Sequence, residues 1–437
     1  MSAGVIRKAR GTFAVLAQLP GQRRVHFLPR EQLIAMRDKR VSATIRYAAE
    51  TVPHYRELFR RENIDPRQIT RAEDLVHLPL LERATVQADP ERFRSTSPAG
   101  AAAVAFRTTG SSGTPLTVYH DHRSLLANIA FAERERMVEA GLCGRRCRYR
   151  IVEISHEAAT ERRVRGVYGR ASYRPFRPER VLLSLERPPE EVLADIDRLR
   201  ADVLVGYGGY LEFLFRIASQ SGRLKHRPAA VVYGRDAMSE EGRALIEDTF
   251  GIPVLGRYAA VEAFKIGFFC EQRTGFHLHE DLCHVVVAED EVVITNLVNR
   301  GTVLVNYRLG DLASLASDSC PCGRTSLRLA ALKGRTDEIV RLTDGSHVHP
   351  LQVWDAIAAH PEVLRYQVVQ IKPDCFELRV LLASEEAQAR VAARLAPELS
   401  RLFRGAQVDV RRLDSEVANG RAKLRPVVAY RGRAADE

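Results

Sequence analysis

The stretch from residue 188 to 262 constrains this chain most. PPEEVLADIDRLRAD reads as a helix opened by proline, VLVGYGGY as a strand running into a glycine turn, and LEFLFRIASQSGRL as a helix. AAVVYGRDAMSEEGRALIEDTFG then reads as strand, turn, helix and glycine stop, and IPVLGRYAAVE as strand and loop. Short apolar runs that alternate with helical periodicity belong to βαβ units, so a largely parallel sheet with helices on its faces is expected. With 437 residues, two or three domains are expected rather than one.

Helices are also expected over residues 31–64, with Pro53 ending one and starting the next, and over RSLLANIAFAERERMVEAG as a single amphipathic helix ending at Gly141. The pattern changes after about residue 283. HVVVAEDEVVITNLV reads as a hairpin. The last hundred residues read as helix, strand, strand, helix, strand, a ferredoxin-like order that forms a separate small domain, with a boundary near KGRTDEIV at 333–340. The domains expected are thus 1–334 and 335–437.

Hydrophobic residues at 45% and charged residues at 28% place the chain among globular proteins. No apolar run is long enough to span a bilayer, and Gln18 and Pro20 break the apolar part of the first segment, which argues against a secretory signal. A cytoplasmic location with no membrane partner is the expectation. The formal charge of +11 is concentrated in GRRCRYR at 144–150 and ERRVRGVYGRASYRPFRPER at 161–180. Aromatic residues are few and no nucleic-acid motif accompanies them, so these arginines read as a solvated, basic surface and no nucleic-acid partner is expected. A role near a phosphorylated ligand stays open. Seven cysteines, an odd number, argue against a disulfide framework.

The segment TTGSSGTP, 108–115, lies between two β-type runs. Its glycines let backbone amides approach a phosphate, and its hydroxyls add donors. It is followed by RYAAVE at 257–262, NYRLGDL at 306–312, KGRTDEIV at 333–340 and NGRAKLR at 419–425. This ordered series resembles the motifs of adenylate-forming enzymes, the superfamily of acyl-CoA synthetases and peptide-synthetase adenylation domains, and is most similar to the phenylacetate–CoA ligase-like branch with its CapK-like members. VPHYRELFRRENIDP, AEDLVHLPLLER and FFCEQRTGFHLHEDLCHVVV fit that branch as well, so the resemblance covers about residues 45–430.

The resemblance implies an α/β fold: a large N-terminal domain with mixed β-sheets and a small, mobile C-terminal α+β domain. It implies that Thr108, Thr109, Gly110, Ser111, Ser112, Gly113 and Thr114 hold the phosphates of ATP. Gly234, Arg235 and Asp236 lie beside adenine, and Tyr258 and Ala259 lie against the base. Glu262 binds Mg²⁺ or orients the phosphates, Asp311 holds the ribose, and Arg335 contacts the nucleotide. Asp337 stands near the hinge. Lys423 completes the catalytic site, with Arg421 as the alternative register. Tyr207 and Gly208 are plausible walls of the acid pocket. Thr114 stands where the family often has lysine, and Ala259 and Ala422 where it has glycine.

The reaction implied is ATP-dependent formation of an acyl-adenylate with release of pyrophosphate, then transfer to coenzyme A. A carrier-protein thiol or an amine is the alternative acceptor, and a degenerate nucleotide-binding homologue is the rival reading. A homodimer stays open. Cys270, His277, Cys320 and Cys322 read as a structural Zn²⁺ site, with His279 as the other candidate imidazole. As isolated residues, Glu262 reads as a surface carboxylate and Asp311 as a turn residue; only the ordered series gives them these roles.

Overall fold

The computed structural model describes residues 3–108, 115–156, 159–173, 178–360, 362–382, 387–414 and 425–430. Besides the short helical turns Leu19–Gln22, Arg83–Ala88 and Pro98–Ala101, its described helices are α1 (Ala3–Leu16), α2 (Arg30–Thr51), α3 (Pro53–Arg61), α4 (His122–Phe131), α5 (Glu133–Leu142), α6 (Thr160–Ala171), α7 (Pro189–Leu199), α8 (Gly208–Ser221), α9 (Glu240–Ala244), α10 (Pro350–Ala358) and α11 (Ala387–Leu402). None of the described helices is long and apolar enough to cross a membrane.

A small hairpin pairs β1 (Val104–Arg107) with β2 (Thr117–His120). The main sheet has eleven strands. Along the chain these are β3 (Arg150–Ser155), β4 (Glu179–Ser184), β5 (Val203–Tyr207), β6 (Ala230–Gly234), β7 (Val254–Tyr258), β8 (Gly267–Phe269), β9 (Phe276–Leu278), β10 (Cys283–Ala288), β11 (Glu291–Asn296), β12 (Tyr307–Leu315) and β13 (Arg328–Arg335). The spatial order is β10-β11-β12-β13-β9-β8-β7-β6-β5-β3-β4.

From β4 to β7 every neighbouring pair is parallel, each return being made by a helix. β5 and β6 are buried on both faces, which is why VLVGY and AVVYG carry almost no polar residue. Beyond β7 every pairing is antiparallel. The sheet is therefore mixed, and the expectation of a largely parallel sheet holds only for β3–β7. The reason lies in the connections: the chain from β7 to β11 turns back through short links that hold no crossover helix, and short links allow only antiparallel neighbours.

The single helix expected over 123–141 is also corrected. It is two helices, α4 and α5, that meet at Ala132. α5 is held by charge as much as by apolar contact: its buried Glu133, Glu135 and Glu139 pair with Arg23, Lys265 and Arg257. These distant partners set its direction and override the local amphipathic pattern.

After β13 come a short ladder of β14 (Val340–Arg341) with β15 (His347–Val348), then β16 (Val363–Lys372), β17 (Cys375–Leu382), β18 (Gln407–Arg412) and β19 (Val427–Val428). The last four form one sheet in the order β18-β17-β16-β19, packed against α10 and α11. Two main apolar cores result. One joins the long sheet to its helices; the other runs from Val340 to Val427 and centres on the stacked rings of Phe376 and Phe403.

Candidate active site

Tyr207, Gly234 and Tyr258 stand at the carboxyl ends of β5, β6 and β7, where the sheet turns from parallel to antiparallel. Ligands of open α/β sheets bind at such ends. Gly208 is pressed so closely on the next segment that a Cβ there would come within 2.3 Å of the Ala237 carbonyl oxygen. Its amide donates to Asp236, which caps α8 and ties Tyr207–Gly208 to Gly234–Asp236. The proposed acid wall and the proposed adenine segment are thus brought together.

Asp311, on β12, faces Arg335 on β13 across the antiparallel ladder. Arg335 donates to its carboxylate at 2.7 Å, and the Tyr258 hydroxyl donates to its other oxygen at 2.8 Å. Arg335 also bonds Asp337 at 3.2 Å. Burial, and then Asp311, push the Tyr258 phenol well above its usual range, so it stays a donor. Ala259 follows at an exposed lip. These residues form one continuous wall.

Glu262, in the loop after β7, lies near Asp311 and Arg335 and is 3% exposed. Burial raises its carboxyl above the usual range even though Arg83 lies against it. Arg83 is the residue the sequence did not single out. It donates to Glu262 at 3.1 Å and to the Thr108 hydroxyl at 3.0 Å. Thr108 closes the β1–β2 hairpin on the Leu116 backbone: its amide donates to the Leu116 carbonyl at 2.9 Å and its side-chain hydroxyl accepts from the Leu116 amide at 2.9 Å. Thr109, Gly110, Ser111, Ser112, Gly113 and Thr114 lie outside the described residues, as do Lys423 and Arg421.

The Glu262 loop is pinned from the same hairpin. His120 on β2 bonds the Val261 carbonyl at 2.7 Å and stacks on Phe264 at 3.9 Å between centroids. Phe264 sits at φ 61°, which a bulky side chain adopts only where its surroundings enforce it. Asn296 holds the Glu262 carbonyl at 2.8 Å.

Arg235 points away from this wall. It sits at φ 72° and pairs with Glu161 at 2.9 Å and with the buried Glu153, on which Arg165 and Arg180 also converge. Burial opposes ionisation of Glu153, but the three guanidiniums outweigh it and hold the carboxyl at about 2. The reading of the arginine-rich segment as a solvated surface is therefore wrong for Arg165 and Arg180: a charge buried at the core of the parallel strands needs them.

Glu338, just past β13, is a buried acid that accepts from the Arg335 amide at 3.1 Å. Burial and then Asp337 push its carboxyl up to about 7, against Arg335 and Arg425. The folded state thus holds a proton that the unfolded chain has lost, so stability falls as pH rises from about 5 through 7. Glu338→Gln is expected to raise the melting temperature by about 2–5 °C at pH 8 and to leave it nearly unchanged at pH 5, read by calorimetry at both pH values.

Away from the Tyr258–Asp311–Arg335 wall, the ligand atoms of Cys270, His277, Cys320 and Cys322 all lie within 4.8 Å of one another. Cys270 and Cys320 sulfurs are 3.7 Å apart, and Cys322 Sγ is 3.4 Å from His277 Nε2. Edges of that length match a tetrahedron with metal–ligand bonds of about 2.1–2.3 Å. Burial lowers the His277 imidazole to about 4, leaving it neutral as a metal ligand requires. Ser326 bonds its other ring nitrogen at 3.2 Å. His279 lies apart, against His26 and Arg134.

No family model matches the chain. It is 27% identical over 361 residues to the phenylacetate–coenzyme A ligase of Thermus thermophilus, covering 78% of this chain and 79% of that one. It is 21% identical to the phenylacetate–coenzyme A ligase of Aromatoleum evansii, with 79% of each chain covered. Among solved structures, a 2-hydroxyisobutyryl-CoA ligase in its postadenylation state overlays with a TM-score of 0.72 at 16% identity, covering 93% of this chain and 92% of that one. The same ligase in its thioesterification state overlays at 0.59 and 19% identity, covering 93% and 91%.

Proposed function

We propose that this homologue of the phenylacetate–CoA ligases, built on the adenylate-forming fold, is an AMP-forming acid–thiol ligase. The observation that carries the proposal is Arg83, which joins Thr108 of the phosphate hairpin to Glu262 beside the Tyr258–Asp311–Arg335 wall. One side offers a carboxylate to a diol and a ring to a base. The other offers a cation and a carboxylate to a triphosphate with its metal.

In this reading the ribose hydroxyls of ATP donate to Asp311, a task for which a carboxylate is suited. Adenine lies between Tyr258 and the Gly234–Asp236 turn. Phosphates rest on the amides and hydroxyls of Thr108–Thr114. Glu262 and the phosphate oxygens would hold Mg²⁺, which supplies charge neutralisation when bound. The substrate carboxylate attacks the α-phosphorus in line and pyrophosphate leaves with its electron pair. Arg83 offsets the charge that a lysine at position 114 would otherwise share. The thiolate of coenzyme A then attacks the acyl carbonyl and AMP leaves. Tyr207 and Gly208 border the acid, and an open crevice between α8 and the C-terminal sheet, lined by Gly209, Ala237, Trp354 and Tyr366, gives the acceptor a route. Residues 335–437 act as the mobile lid.

Acid-dependent exchange of labelled pyrophosphate into ATP tests the first half-reaction, and coenzyme A, a carrier protein or an amine added afterwards identifies the acceptor. ATP binding in calorimetry without exchange for any acid would favour a degenerate nucleotide-binding homologue. The cation from the C-terminal segment is tested in the same assay. Lys423→Ala is expected to lower exchange by about 10²–10³-fold and Arg421→Ala by less than about threefold; the reverse order would assign the role to Arg421.

The four ligands Cys270, His277, Cys320 and Cys322 would hold a structural Zn²⁺ that fastens β8, β9 and the loop before β13.

A further inference from the structure

Helix α1 is apolar on two faces. Its inner face is docked: Gly11 lies so close to the Ala171 carbonyl that a Cβ would come within 2.1 Å, Val15 is buried, and Thr12 accepts from the Tyr173 amide at 2.8 Å. Its outer face carries Val5, Ile6, Phe13 and Leu16, exposed at 38%, 42%, 75% and 43%. At 100° per residue these four fall within an arc of about 100°, a continuous stripe along a helix about 21 Å long. Single exposed apolar residues need no explanation; four aligned on one helix do.

The surroundings are strongly basic. α1 packs on α4 and α6. Together the three helices hold eight Lys and Arg residues against one carboxylate, Glu161, which is itself paired with Arg235. No acidic residue precedes Glu31. Among the described residues, Arg7, Arg10, Arg123, Arg162 and Arg170 make no ion pair.

We propose that α1 is a docking surface for an anionic lipid bilayer, with the apolar stripe set into the headgroup–acyl boundary and the flanking cations on lipid phosphates. Helices with an apolar face and basic flanks lie in that plane, and each cation near an anionic leaflet adds to the attraction. A second copy of the chain is the poorer occupant, because an isologous contact would bring this basic face onto itself. The proposal needs no spanning segment: none of the described helices is long and apolar enough to cross a bilayer, and α1 would rest on its surface.

Flotation of the full-length protein with phosphatidylcholine vesicles, and with vesicles containing about 30% phosphatidylglycerol, tests this. At least about tenfold more protein is expected with the anionic vesicles, falling as salt rises. Phe13→Glu is expected to lower that binding about tenfold with an unchanged melting temperature, since Phe13 is mostly exposed. Arg7→Glu with Arg10→Glu is expected to remove the salt-dependent part. Three results would overturn the proposal: no binding to either vesicle, binding untouched by Phe13→Glu, or a dimer in solution that Phe13→Glu converts to monomer.

Discussion

Glu262→Gln is expected to lower acid-dependent pyrophosphate exchange by about 10²–10³-fold without loss of stability. Gln keeps the shape of the side chain and removes its charge. The activity loss follows from position: the carboxylate is buried beside Arg83 and Thr108, so any cation riding on the phosphates meets it out of bulk water, where one charge is worth about 3–4 kcal/mol. The stability result follows from sign. Burial raises the folded carboxyl above its ordinary range, so the folded state binds the proton more tightly than the unfolded chain does. Ionised Glu262 therefore costs stability at neutral pH, and a neutral amide leaves the melting temperature unchanged or slightly higher. The loss should fall mainly on turnover, with nucleotide affinity less affected. Arg83→Ala combined with Glu262→Gln should fall well short of the sum of the two, because they share one contact. Exchange within about threefold of the parent protein would place the phosphates elsewhere.

How far the sequence shows this site depends on how each residue is held. Tyr258, Asp311 and Arg335 sit on or beside strands whose apolar runs announce themselves, and motif order then orders the wall. The two-sided burial of β5 and β6 makes their strands and glycine turns plain. Arg83 closes AEDLVHLPLLER, a segment that fits the branch as a whole, but nothing in that segment marks the arginine itself. It is one of 66 Lys and Arg residues, and its partners stand 25 and 179 positions away. Only the closing of the β1–β2 hairpin over the sheet brings the three together. A cation required by the loss of lysine at position 114 was a reason to look for such a residue, but not a means of finding it.

The same limit explains the misread elements. The arginines at 165 and 180 look like a solvated stripe because the acid they satisfy, Glu153, is buried on β3 and stands 12 and 27 positions away. The break at Ala132 follows from ion pairs to Arg23, Lys265 and Arg257, which no local periodicity contains. The antiparallel half of the sheet follows from connection length, which is visible only once the strands themselves are fixed. Charge networks and sheet direction are properties of the assembled chain; strand and helix periodicity is a property of the segment.

Removing one sulfur from the Cys270–His277–Cys320–Cys322 cluster is expected to have the largest effect on stability. Cys322→Ala should lose about one zinc per chain by elemental analysis and lower the melting temperature by about 10 °C. The cluster's reach sets the size of this effect. Cys270 follows β8, His277 is on β9, and Cys320 and Cys322 precede β13, so one ion would close three connections of the antiparallel half at once. The ring of His277 is fixed by Ser326, which is also bonded by His26 at 3.1 Å, and Thr325 donates to the His26 carbonyl at 2.8 Å. The centre thereby holds the segment that leads into α2 as well. Ser326→Ala should keep zinc but weaken it about 10–100-fold in a chelator competition, since the ring loses its orienting partner while all four ligands remain. A strong chelator should lower the melting temperature of the parent protein to that of Cys322→Ala and leave the variant unmoved. A parent protein that contains no zinc, takes up none and melts unchanged with chelator would reduce the cluster to four packed side chains.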